Sequence, residues 1–408
     1  MKTRLKVWLQ LPDGTRLQAG ELIAAFRDNG AIDGQFRYLQ SYLDDPRAFA
    51  LDPVNLPLAP GAQDAHRPQA GVHGVFEDAL PDDWGRRLLC RRYQLSDHQA
   101  RPPHLLSLME GGGMGALWFG KVRCPEPRTD NQSTVDLQKL ARLALDFEKG
   151  TTAMEDDPLL PYLFGLGSSP GGARPKFLSV TENGQPCLVK LPSLKDSVPL
   201  VPIEAACMAT AMDCGFPVAP VRLIKEGMPL LLVERFDVTP QGGRRHMLSM
   251  KTLLNAEYHY SKSYLDMAQL LERHSAEPGA DKMALFQQML FNACIGNTDD
   301  HLKNFALLHD DRGWRLSPAY DLVPSFPLLP HAQHVLRFHL DNRRPDWATI
   351  RQLGRAFGFS STRTNRLIEE VLAGLSGLEK HLQQAEAPED VSQLLLEHVA
   401  AYLSGLSH

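Results

Sequence analysis

The chain has 408 residues, with 43 Lys and Arg against 48 Asp and Glu, a formal charge of −5, 43% hydrophobic residues and 22% charged ones. That length suits two or three domains with a large core, and the composition excludes a disordered or fibrous protein. The acidic balance excludes a stand-alone nucleic-acid binder working by bulk charge. No window nears eighteen uninterrupted apolar residues, and MKTRLKVWLQLPDG lacks a signal-peptide core, so a soluble, cytoplasmic protein with no membrane contact is expected.

Thr3 to Leu9 alternates as a half-buried strand, and Pro12-Asp13-Gly14 turns it into a second strand, Thr15 to Ala19. Phe36 to Leu43 reads as another strand. A helix is expected from about Phe76 through ALPDDWGRRLLCRRYQL, with Pro81, Asp82 and Asp83 as first-turn residues. Its arginines, Arg86, Arg87, Arg91 and Arg92, spread around the helix as a solvated or partner-facing surface. Gly115, Gly120 and Lys121 mimic part of a Walker A loop, but Val122 replaces its Ser/Thr and Ala116 to Phe119 form an apolar strand. A polar linker over Pro125 to Ser133 and a helix over Thr134 to Glu148 place the first boundary near residue 146.

GLGSSPGGARPKFLSV follows, where Gly165, Gly167, Gly171 and Gly172 free the backbone to present N–H groups to an anion; a tight hairpin turn is the competing reading. Strands at Lys176 to Val180 and Gln185 to Leu191 flank the turn Glu182-Asn183-Gly184. Lys190 then ends a strand from which its compact charge reaches phosphates. Ile203 to Ala209 forms a small-residue helix on which Glu204 either orients Lys190 or faces solvent. Two more strands, Val218 to Ile224 and Pro229 to Val233, lead into Glu234-Arg235-Phe236-Asp237, and beyond Met247 the pattern turns helical. The six cysteines show no C-x-x-C pair and the fifteen histidines no ligand motif, so neither zinc nor a disulfide framework is indicated.

The chemistry concentrates between Ile295 and Ser325. In GNTDDHLKNF, Asp299 and Asn304 are separated by four residues, the D-x-x-x-x-N spacing of a kinase catalytic loop whose Asp receives a hydroxyl proton and whose Asn holds magnesium. Asn304 to Leu308 and Trp314 to Leu316 read as a hairpin that returns Asp321, in SPAYDLVPS, as a second ligand. A sparse oxygen set of this kind suits Mg²⁺ arriving with ATP.

These pieces, in this order, resemble the HipA family, serine/threonine kinase toxins of bacterial toxin-antitoxin modules. The resemblance rests on SSPGGARPK (168 to 176), LVKLPS with Lys190, VERFD (233 to 237), GNTDDHLKNF and YDLVPS, with LPDDWGRRLL and GMGALWFG similar to segments of the preceding domain. It implies an α+β, two-lobed protein-kinase-like fold: an extra N-terminal subdomain over 1–146, a β-rich N-lobe with phosphate loop and hinge over 147–236, and a helical C-lobe over 237–408. By position it implies Asp299 as catalytic base, Asn304 and Asp321 on Mg²⁺, and Lys190 on the ATP phosphates. Gly171, Gly172, Ala173 and Lys176 would serve the phosphate loop, Glu234 and Phe236 would meet adenine through their backbones, and His301 and Lys303 would approach nucleotide or transferred phosphate. It further implies autophosphorylation at Ser169, with Ser168 as competitor; a protein substrate such as an aminoacyl-tRNA synthetase; and a small DNA-binding HipB-like antitoxin through which DNA is contacted only indirectly. Asp300 stands where many relatives carry glycine and is expected to point to solvent. Two other readings stay open: a kinase fold acting on a small molecule, and a co-repressor module with catalysis secondary or lost.

Overall fold

A computed structural model describes residues 2–405 apart from 98, 110–112, 127–135, 151–158, 160–162 and 164–173. The chain divides into two units. One comprises Met1–Val189, Arg235–Leu248 and Leu308–Asp311; the other comprises Lys190–Glu234, Ser249–Leu307 and Arg312–His408.

The first unit opens with an antiparallel sheet. Its strands β1 (Lys2–Gln10), β2 (Arg16–Phe26), β3 (Ile32–Tyr38), β4 (Ala62–Asp64) and β5 (Leu117–Gly120) lie in the order β4-β3-β2-β1-β5. Strand β1 is half exposed at its start and buried on both faces from Val7 onward, where its pairing to β2 is bulged and β5 joins its other edge. The third strand begins earlier than expected, because Ile32, Gly34, Phe36 and Tyr38 alternate inward; Leu39 ends it, and Gln40–Leu43 is a helical turn instead of more strand. Gly34 is needed in mid-strand, since a Cβ there would sit 2.0 Å from the Gly71 carbonyl oxygen.

The single long helix expected from Phe76 is two. Gly74–Asp78 stops before Leu80-Pro81, and Asp82 restarts the chain as N-cap of α1 (Asp83–Arg92), accepting from Gly85 N. Helices α2 (Pro102–Leu108) and α3 (Leu137–Lys149) follow, the latter capped by Asp136 and ended by Gly150 at φ 73°. Hairpin strands β6 (Lys176–Val180) and β7 (Pro186–Lys190) close the main run of this unit. Phe36, Phe76 and Trp84 are fully buried in its core, each worth about 2–3 kcal/mol of transfer energy.

The second unit is mainly helical. After α4 (Leu200–Asp213) and the antiparallel pair β8 (Val221–Ile224) and β9 (Leu230–Glu234) come α5 (Tyr264–His274) and α6 (Pro278–Ile295). Ser263 and Asp266 form a capping box on α5, and α6 is buried along nearly its whole second half. Gly296, at φ 68°, ends α6 and turns the chain into the candidate loop; a Cβ there would meet His398 and Leu328 below 3 Å. In sequence, strand β10 (His246–Ser249), whose first three residues belong to the first unit, precedes these helices, and β11 (Ala306–Asp310), likewise divided between the units, and β12 (Gly313–Leu316) follow them; α7 (Trp347–Ala356), α8 (Ser361–Leu375), α9 (Leu378–Gln384) and α10 (Glu389–Ser404) complete the second unit. Asp281 on α6 ties down β12 by accepting from Arg315 and from Leu316 N, which fixes where the chain starts toward Asp321. Among the described residues no helix is long and apolar enough to cross a membrane.

Candidate active site

Strand β7 alternates so that Cys187 and Val189 are buried, which leaves Lys190 on the opposite face at its end. Its ammonium is held by Glu204, in the second turn of α4, and lies 2.5 Å from Asp321 Oδ1. Glu204 is 4% exposed, so it orients Lys190 and does not face solvent. Burial works against the ammonium, and the Asp321 and Glu204 carboxylates more than offset it, holding Lys190 above the usual lysine range. Asp321 adopts φ 59°, a left-handed conformation that a non-glycine residue keeps only when its surroundings enforce it. Asn297 supplies part of that enforcement: its Nδ2 donates to Asn292 Oδ1 and, at 3.4 Å, to Asp321 O.

The loop after Gly296 is pinned through its backbone. Ser325 Oγ accepts from Thr298 N and Asp299 N at 3.0 and 3.2 Å, and Ser325 N donates to Gly296 O. The Asp299 carbonyl accepts from Asn304 Nδ2 at 3.1 Å and from His301 N at 2.8 Å. The Asp299 side chain is thereby presented, exposed, from a main chain held at both its N–H and its carbonyl. With Nδ2 so engaged, Asn304 Oδ1 is buried with no hydrogen-bond partner. An orphaned buried acceptor is costly unless something else satisfies it. The chain returns as expected: Ser317 N donates to Ala306 O, and Tyr320 OH donates to Lys303 O at 2.7 Å, one residue before Asp321.

Asp300 corrects the expectation of a solvent-facing carboxylate. It is 0% exposed and accepts from Tyr264 OH at 2.7 Å, Val335 N at 2.9 Å and Leu336 N at 3.3 Å, with His334 Nδ1 at 3.1 Å. Burial, and then the Asp300 charge, push the Tyr264 phenol well above its usual range, so it stays a donor. Asp300 is therefore a buried peg that fastens the loop to α5 and to the segment around Val335. Adjacent aspartates point opposite ways, one to solvent and one into the core.

Of the remaining candidates, His301 and Lys303 lie in the same loop. The His301 ring packs 5.1 Å from His259, and both rings have a buried Nδ1 without a partner. Glu234 ends β9, its N–H donating to Pro220 O. Phe236 and Lys176 belong to the first unit. There Arg235 N donates to Pro186 O, and Lys176, expected to serve the phosphate loop, is 5% exposed with its ammonium 2.8 Å from Asp82. Ser168, Ser169, Gly171, Gly172 and Ala173 lie outside the described residues. Sequence reasoning gave no role to Ser325 or Asn297. Both sit inside the motifs it singled out, and each acts through one side-chain atom that no spacing rule exposes.

Among the described residues no group of three or more His, Cys, Asp or Glu is arranged to hold a metal ion. The set that fits Mg²⁺ is smaller: the orphaned Asn304 Oδ1 and the Asp321 carboxylate, both hard oxygen donors.

Known proteins place this geometry in context. A family model for the HipA-like C-terminal domain matches residues 168–377, and one for the HipA N-terminal domain matches residues 15–120. A Sinorhizobium fredii protein named "Putative kinase Y4mE" is 29% identical over 335 residues, which cover 74% of this chain and 75% of that protein. A second from the same organism, "Putative kinase Y4dM", is 32% identical over 160 residues, covering 35% of this chain and 38% of its own. HipA of Shewanella oneidensis, solved with HipB and its operator DNA, superposes with a TM-score of 0.69 at 18% identity, covering 98% of this chain and 96% of that one, which establishes the shared fold.

Proposed function

Because the chain belongs to the HipA family, we propose that it is an ATP- and Mg²⁺-dependent serine/threonine protein kinase acting as the toxin of a toxin-antitoxin pair. The observation that carries this reading is the constellation in one unit of Lys190 between Glu204 and Asp321, with Asn304 Oδ1 left unsatisfied beside a loop that presents Asp299. Lys190, Glu204, Asp299 and Asp321 sum to two negative charges, the balance a divalent cation would neutralise. Asn304 and Asp321 would hold Mg²⁺, which when bound with nucleotide supplies charge neutralisation at the phosphates.

The chain's own residues then position the reactants. Lys190 would leave Asp321 for the nucleotide phosphates while Glu204 keeps its orientation. Asp299 would accept the proton of the acceptor hydroxyl as that oxygen bonds to the γ-phosphorus and the bond to the departing ADP breaks. His301 and Lys303, in the same loop, would meet the phosphates. Gly171, Gly172 and Ala173 would serve the phosphate loop, Glu234 and Phe236 the adenine through their backbones, while Lys176, buried against Asp82, is left out of that loop. Ser169, or Ser168 beside it, would be the autophosphorylation site, where added negative charge in an anion site would repel ATP. The fold shared with Shewanella HipA supports a small DNA-binding, HipB-like antitoxin as partner, and an aminoacyl-tRNA synthetase is the substrate class we would test first.

Calorimetric titration with Mg–ATP tests the site. We expect wild-type binding that weakens about tenfold or more in Asn304→Ala and in Lys190→Ala, and that depends on Mg²⁺. Binding indifferent to Mg²⁺ and to both substitutions would remove the reading. A co-repressor role without catalysis would show as growth inhibition that survives Asp299→Ala.

A further inference from the structure

The catalytic loop has a neighbour that the proposed reaction does not use. Tyr258 precedes the helical turn His259–Ser261 and Tyr260 lies within it; each is 52% exposed, with their rings stacked at 5.4 Å. Between them His259 turns inward to pack on His301, two residues past Asp299. The turn is stitched to a second loop: Arg337 Nη2 donates to Ser261 O at 2.6 Å, Arg343 Nη2 donates to Tyr260 O at 2.9 Å, and the Arg343 guanidinium lies 5.6 Å over the Tyr260 ring. At the tip of that second loop Leu340 is 80% exposed and held at φ 49°. A left-handed leucine projecting into water costs about 1–3 kcal/mol of strain and hydrates an apolar side chain, and such outliers concentrate at functional surfaces.

Charge separates this surface from the rest of the chain. Lys262, Arg337, Arg343 and Arg344 stand against Glu257 and Asp341, with Lys251 and Lys303 on the side of the catalytic loop, whereas the whole chain carries −5. Asp341 is already paired to Arg337. Stacked, solvent-facing tyrosines with an arginine over one ring supply rigid contact area at low entropic cost, the composition that dominates recognition of polypeptides.

We propose that the two loops carrying Tyr258, Tyr260 and Leu340 dock the phosphoacceptor protein, taking an acidic segment with an apolar side chain next to the acceptor residue. The proposal rests on the kinase reading above and adds what distinguishes a protein substrate from a small molecule: a docking surface continuous with the catalytic loop. Complementary charge would steer an acidic segment here and fix its register, and the tyrosines and Leu340 would supply the apolar contact.

The test uses the full chain and three probes: a fluorescein-labelled Glu/Tyr copolymer, a Lys/Tyr copolymer of the same length, and a single-stranded RNA oligomer. Each is titrated by anisotropy, with Mg–ATP affinity measured in parallel. We expect the Glu/Tyr copolymer to bind at least about tenfold tighter than either competitor. A Tyr258→Ser, Tyr260→Ser double variant should lose about tenfold, and Lys262→Glu and Leu340→Ser severalfold each, with Mg–ATP affinity unchanged in all. The Lys262 carbonyl accepts from Arg337 N, a bond that a side-chain substitution keeps, and among the described residues neither the Lys262 nor the Leu340 side chain braces the loops, so their variants keep the question answerable should the double variant unfold. No acidic preference, tighter binding of RNA, or variants that bind like wild type would overturn the proposal. An acidic preference lost in the variants of a chain that binds no Mg–ATP would uphold the docking surface and remove the kinase reading alone.

Discussion

Lys176 and Lys190 bound the same hairpin at its two outer ends, and both were expected to serve a nucleotide, yet their surroundings differ in kind. In the first unit, Lys176 meets one carboxylate, Asp82, in a buried one-to-one pair, and Trp84 Nε1 donates to its carbonyl at 3.1 Å. Burial raises the Asp82 pKa while the Lys176 charge opposes that rise, so each group depends on the other. In the second unit Lys190 is shared between two carboxylates, one on a helix and one on a residue held at φ 59°. A closed neutral pair has nothing to exchange and serves structure. A lysine facing surplus negative charge can pass one partner to a cation and take up phosphate itself, so it can serve chemistry.

The largest effect separates the two directly. Lys190→Met should lower phosphoryl transfer about a hundredfold or more, whereas Lys176→Met should lower stability by about 3–5 kcal/mol by stranding Asp82. ATP turnover and urea unfolding of both variants check this, and a Lys176→Met protein of wild-type stability but no turnover would collapse the distinction. Adding Asp82→Leu to Lys176→Met should recover most of the lost stability, because replacing a buried pair by apolar groups is often neutral. In the second unit, Asp300→Ala should cost about 2–4 kcal/mol, since Tyr264 OH and two backbone N–H groups lose their acceptor. Thermal unfolding reads that loss, and a protein that melts like wild type would return Asp300 to the solvent-facing role first expected of it.

The smallest effect contrasts the units by pH. Burial pushes His73, His246 and His309 in the first unit down to about 4, and in the second unit does the same to His259. A depressed histidine stabilises the fold above its unfolded value near pH 6.5 and loses that contribution as pH falls toward 4. Between pH 7 and 5 each should cost about 1–2 kcal/mol. Hydrogen exchange should therefore report faster opening in β1–β3 than in α6 at pH 5, and equal acceleration would show that other groups dominate.

What the sequence disclosed, and what it hid, follows from the range of the interactions involved. Asp299, Asn304, Lys190 and Asp321 stood out from local spacing and strand alternation, and of these the structure brings Lys190 and Asp321 together across a wide gap in sequence. The fate of Asp300 was not legible, since its acceptors' partners are Tyr264, far upstream, and Val335, far downstream. The same holds for Lys176, whose partner Asp82 reads locally as a first-turn helix residue and serves as the N-cap of α1. Strand β3 was misplaced because Gly34 looks like a strand breaker, and only the close approach of Gly71 explains it. Glycine-rich residues of the phosphate loop remain readings of sequence alone.

The proposed function makes Asp299 the base of a working phosphotransfer site. The measurement that meets it most directly is incubation of phosphatase-treated protein, wild type and Asp299→Ala, with Mg²⁺ and γ-labelled ATP, followed by peptide mass spectrometry and an intact mass before and after. Label is expected in the wild type, mapping to Ser169 or Ser168, and is expected to be lost in the variant. Unmodified wild-type protein that takes up no label, or label that persists undiminished in Asp299→Ala, would contradict it.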